Sequence, residues 1–139
     1  MARFFGLLVM LAAAVSGLAA AERRVDLFSE GRVSFQNAKF KEAAKSFRAL
    51  AELHPDNPEY VLWLGRAYGR QADISNPLET RKYTQRALRC FERAVELDPT
   101  NDDARRELHS YADEGLHSAS DVFVRVIQLP SDALGLMWH

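Results

Sequence analysis

Ala87-Leu-Arg-Cys-Phe91-Glu-Arg-Ala94-Val-Glu-Leu97-Asp-Pro99 has the same skeleton as Ala43-Ala-Lys-Ser-Phe47-Arg-Ala-Leu50-Ala-Glu-Leu53-His-Pro55. The anchors Ala43, Phe47, Leu53 and Pro55 return 44 residues later as Ala87, Phe91, Leu97 and Pro99. Upstream, Leu27, Gly31 and Val33 return as Val61, Gly65 and Ala67, but at an offset of 34. The 10-residue difference between the offsets places an insertion between Gly65 and Ala87.

Small residues (Gly31, Ala43, Gly65, Ala87) alternate with large apolar ones (Phe47, Leu64, Tyr68, Phe91) at helical spacing. Two antiparallel helices need this pattern to approach closely with bulky side chains filling the gaps. Helices are expected at 24–37, 40–53, 58–72 and 77–97, with Asn37-Ala38-Lys39 as the first turn. Asn57-Pro58-Glu59 and Asn76-Pro77-Leu78-Glu79 are both helix starts: an amide cap, a proline in the first turn and an acid near the positive end of the dipole. Glu79 is also placed for a capping box. At 21 residues the fourth helix is ~31 Å long and outruns its partner, so its start, near Glu79 to Tyr83, must overhang or find another surface. A hairpin of this kind cannot bury its apolar face alone, so hairpins must stack.

The run Val61-Leu-Trp63-Leu-Gly65-Arg-Ala-Tyr68, with Ala87, Phe91, Ala94 and Pro99 after it, resembles a tetratricopeptide repeat, as does Leu27 to Pro55. The resemblance covers residues 24 to 114. It implies an all-α solenoid of about two and a half repeats, at 24–57 and 58–101, the second with a lengthened second helix, closed by a capping helix at 102–114. The domain then spans 22–115. Glu30 and Ser34 depart from the pattern, standing where the family has an apolar and an aromatic residue. Family membership implies a concave groove, lined by the first helix of each repeat, that binds a peptide or protein segment, and it implies no reaction. The matching groove positions include Phe28, Arg32, Phe35, Leu62, Arg66, Arg70 and Arg106, with Val25, Gln36, Gly69, Ser110 and Asp113 beside them. The family's carboxylate clamp would fall on Phe28, Arg32, Trp63, Asp103 and Glu107, of which only Arg32 has the needed chemistry. For Arg66 and Arg70 the plainer reading is a solvated face paired with acids such as Asp73 or Asp113.

The remainder of the chain limits its class. With 139 residues, 47% hydrophobic and 27% charged, it suits one compact domain. A formal net charge of −1 gives no reason to expect nucleic acid as a partner. Arg3, the apolar run Phe4 to Val15, the break at Ser16-Gly17 and the small residues Ala19-Ala20-Ala21 read as a secretory signal peptide over 1–21. An uncleaved membrane anchor is the alternative, since Phe4 to Ala21 is 18 residues long. Residues 116–139 are a tail of either periodicity: Asp121-Val-Phe-Val-Arg-Val-Ile-Gln-Leu129 is β-branched like a strand, while Leu116, Ala119, Phe123 and Ile127 fit a helix face. This apolar tail is also a candidate cover for the overhang.

Reactive chemistry is sparse. The four histidines show no metal-ligand spacing, no glycine-rich phosphate loop occurs, and Ser118 and Ser120 near His117 lack the rest of a triad. No cofactor, metal or enzymatic activity is expected. The single cysteine, Cys90, lies between Ala87 and Phe91 and reads as a small buried packing residue, with an intermolecular disulfide or a reactive thiol, which would need exposure, as the alternative. The expected function is a non-enzymatic protein-binding module outside the cytoplasm, periplasmic or secreted, with an envelope assembly as one setting. The alternative is a self-associating scaffold, a homodimer paired through the exposed stack end and the apolar tail.

Overall fold

The computed structural model describes the backbone of residues 2–113 and the side chains of residues 16–113, and those residues are helical apart from short turns. Helix α1 runs Ala2–Gln36, α2 Phe40–Leu53, α3 Pro58–Asp73 and α4 Pro77–Leu97. Helix α5 begins at 102 and is helical through 113. Turns of three or four residues join them, so consecutive helices pack antiparallel. The tail, with its strand-or-helix question and its expected cover for α4, lies outside the described residues.

The expected boundaries of α2 and α4 match those observed, and α3 runs one residue further than expected. The first helix does not. It is continuous from Ala2, so neither the start at 24 nor the break at Ser16-Gly17 is present. One glycine weakens a helix interior by only ~1 kcal/mol against alanine, and the flanking Ala-Ala-Ala-Val and Leu-Ala-Ala-Ala runs are mostly strong helix formers. Among the described residues no helix is long and apolar enough to cross a membrane.

Local chemistry explains the helix ends. The Asn57 side chain accepts from the Glu59 amide at 3.0 Å, and that of Asn76 from the Glu79 amide at 3.0 Å. Glu79 reaches the Asn76 side chain at 3.4 Å rather than its backbone amide, which is less than a full capping box. Helix α1 ends with Lys39 donating to Ser34 and Ala38 to Phe35 across a left-handed Ala38, φ 58°, a pairing that more often uses glycine.

The core is a single cluster in which Phe47, Phe91 and Leu50 are fully buried. Phe47 lies against Gly31 and Phe91 against Gly65: a Cβ added to either glycine would sit 2.8 or 2.7 Å from the ring's Cε1. The two hairpins are locked in the same way. Helix α3 packs between α2 and α4, whereas α1 packs mainly on α2. The expected overhang is shorter than its two turns. Tyr83 stacks on Tyr68 with centroids 6.2 Å apart, and the Thr80 hydroxyl lies 3.1 Å from the Ala72 carbonyl, so α4 is pinned to the end of α3, while the apolar Leu78 stays out, 86% exposed.

Candidate interaction surface

Phe28 and Arg32 lie one turn apart on α1 and face α3. Phe28 meets Tyr60 at 5.8 Å, Trp63 at 6.3 Å and Phe47 at 5.9 Å between ring centroids. Phe35 meets Trp63 at 5.6 Å and Phe40 at 5.4 Å. Trp63 is therefore held among three phenylalanines, and its ring faces two guanidiniums, Arg32 at 5.5 Å and Arg66 at 5.2 Å.

The two arginines differ in their remaining partners. Arg66 donates to Glu107 at 3.0 Å and Asp103 at 3.4 Å, both on α5. Arg32 enters no ion pair among the described residues. Arg70 pairs with Asp73 at 3.4 Å and lies 5.8 Å from the Phe40 ring centre. Arg106, at the surface, pairs with Asp103. Arg106 first, and Arg66 more weakly, hold the Asp103 carboxyl below its ordinary value. The expected pairing of Arg70 with Asp73 is present, and the acids that take Arg66 are those at two of the clamp positions. Acids there, already engaged with Arg66, cannot hold a carboxylate.

Leu62 is 5% exposed and belongs to the core, so it offers a partner no surface. Gly69 is buried as well: a Cβ there would run into the Tyr111 hydroxyl, so this glycine seats α5 against α3. Tyr111 also packs on Phe91 at 5.3 Å.

Besides a depression on α5 lined by Asp102, Arg105, Arg106 and His109, one of about 430 Å³ stays open along α1, lined by Arg24, Val25, Phe28, Ser29, Arg32, Val33 and Gln36, and closed on the α3 side by Glu59 and Tyr60. It contains Phe28 and Arg32 of the expected set, but not Phe35, Leu62, Arg66, Arg70 or Arg106. Tyr60 and Val33 were not expected there. The signal for Val33 was present but misleading, since its counterpart Ala67 is fully buried while Val33 is 52% exposed.

Cys90 is half-buried, and burial pushes its thiol up to about 11, against a smaller opposing effect of Arg48. Among the described residues no group of three or more His, Cys, Asp or Glu is placed to hold a metal ion. No protein-family model matches the chain, and no curated protein matches it.

Proposed function

We propose that this chain is an exported adaptor of the tetratricopeptide type, which holds a segment of another protein in the depression between α1 and the start of α3. The observation carrying this is the contrast between arginines: Arg66, Arg70 and Arg106 are paired with acids within the fold, whereas Arg32 stands beside Val25, Phe28 and Tyr60 in no ion pair among the described residues, although Glu59 lines the same depression. Apolar anchors with an oriented guanidinium suit an apolar segment that carries a carboxylate. The reading rests on binding alone and assigns no reaction.

A photo-crosslinking amino acid replacing Val25 or Val33 in the full chain tests it in the producing cell, because both positions are exposed and tolerate the change. Adducts with a discrete second protein from these two positions, and not from the exposed Arg93 on α4, support the proposal. Equal yields at Arg93, or none at either valine, overturn it.

A second reading is self-association. The exposed apolar residues Leu18, Val25 and Val33, all on α1, favour it, because α1 packs mainly on α2 and leaves these side chains uncovered. It predicts that the crosslinked product has twice the mass of the chain.

A further inference from the structure

A second cluster lies five positions along α3 from Trp63, ~140° around that helix. Tyr68 on α3 accepts hydrogen bonds from Arg48 of α2, from Nε at 3.1 Å and from Nη2. The Arg48 guanidinium is 5.7 Å from the centre of the Tyr68 ring. The Arg86 guanidinium of α4 is 5.7 Å from the same ring and 5.9 Å from that of Tyr83. Lys82, one turn earlier on α4, places its ammonium 5.7 Å from the Tyr83 ring. All three cations are exposed, and among the described residues none is in an ion pair.

This differs from Arg66, whose fork is filled by acids. An aromatic ring orients a guanidinium without neutralising it: Arg48 gives Nε and Nη2 hydrogens to the Tyr68 hydroxyl and keeps its Nη1 donors, and Arg86 keeps its fork. Lys41 and Lys45 precede Arg48 at helical spacing and add to the positive field. The nearby acids do little to cancel it: Glu42 is engaged by Lys39, Glu79 by Asn76, and Glu52 acts on Arg48 without reaching pairing distance.

We propose that this α2–α4 surface docks an acidic polypeptide segment, with its carboxylates held by Arg48 and Arg86 and a further acid met by Lys82. Two planar forks fixed beside one ring suit paired carboxylates, whose geometry a guanidinium matches. An anionic membrane would need charge density and an apolar wedge at the same level. Here Tyr68 is buried and Tyr83 half-buried, the exposed Ile74 lies at the α3–α4 turn, and Leu78, one turn before Lys82 on α4, is a single exposed apolar side chain rather than a wedge. The surface is independent of the α1 depression.

The test is fluorescence anisotropy of the full chain with a labelled peptide of alternating Glu and Ser, about 12 residues long, at low and physiological salt. Saturable binding that weakens with salt is expected. Arg48→Gln with Arg86→Gln should weaken it at least about tenfold, while Arg105→Gln with Arg106→Gln, removing the same charge from a paired site on α5, should change it less than about twofold. If the first double variant fails to fold by circular dichroism, Arg86→Gln alone, whose side chain makes no hydrogen bond among the described residues, should still weaken binding at least about threefold. Absent binding, or equal loss in both double variants, overturns the proposal. So does displacement of the peptide by vesicles about one-third phosphatidylserine whose own binding requires Arg48 and Arg86, since that assigns the surface to a membrane.

Discussion

The α1–α2 and α3–α4 hairpins share one lock and differ in everything outside it. Phe47 closes on Gly31 as Phe91 closes on Gly65, and all the rest follows from the number of neighbours. On α3 the positions Leu64, Ala67 and Tyr68 are buried, because α2 and α4 flank that helix. Their counterparts on α1 are Glu30, Val33 and Ser34, and Glu30 and Val33 are exposed. Glu30, which stands where α3 has the buried Leu64, thus lies on an exposed edge, while Ser34 is half-buried. An end helix tolerates polar residues there, and the same lack of cover leaves the depression beside Arg32 open. Sequence similarity alone marks positions as equivalent, whereas neighbours decide whether an equivalent position is core or surface.

Breaking either lock should have the largest effect. Phe91→Ala and Phe47→Ala each remove a fully buried ring and should cost ~3 to 5 kcal/mol, read as a lowered midpoint in urea. Equivalence of the hairpins requires both losses to be large; a loss below about 1 kcal/mol at one would end it.

Added methyls sharpen the comparison. Gly65→Ala places a Cβ 2.7 Å from a ring that is fully buried, so ~1 to 3 kcal/mol of overpacking strain is expected. Gly31→Ala meets a similar 2.8 Å contact, but α1 has fewer neighbours and can shift, so its cost should be smaller. Gly17→Ala meets nothing within 4 Å and should stabilise the helix by up to ~1 kcal/mol. Thermal melts of the three variants give the order.

Smaller differences separate the arginines. Arg66→Gln breaks the link between α3 and α5, and should cost about 1 kcal/mol because the pair is only partly exposed. Arg32→Gln should leave stability within ~0.5 kcal/mol. Equal losses in denaturant would mean that Arg32 has a structural partner.

The smallest effect is pH dependence at Asp103. Its folded value lies below the ordinary 3.8, so its contribution is present above pH 3.8 and disappears as pH falls through the lower folded value. Near-ultraviolet circular dichroism of Tyr111, which packs on Phe91 and Gly69, should report loosening of α5 only below that range, and Asp103→Asn should flatten the response.

Most of the helical architecture was legible, for local reasons. The Asn-Pro starts and the His54-Pro55 and Asp98-Pro99 stops are encoded within a few residues: α3 and α4 begin, and α2 and α4 end, where those signals place them. The start of α1 was not, because one glycine between strong helix formers has the composition of a break and the energetics of a helix. At the candidate site, Phe28 and Arg32 were legible through the resemblance to the tetratricopeptide pattern. Leu62 was not, since its burial depends on which helices flank α3. Arg48 and Tyr68 are 20 residues apart on different helices, a separation no periodicity reports.

Amide hydrogen exchange of the full chain tests the shared lock most directly. Amides flanking Gly31 and Phe47 should be protected along with those flanking Gly65 and Phe91, with the slowest exchange in α3, and residues 16–24 of α1 should exchange fastest among the helices. Exchange at unfolded-peptide rates around either glycine–phenylalanine pair, while the other stays protected, would contradict the account.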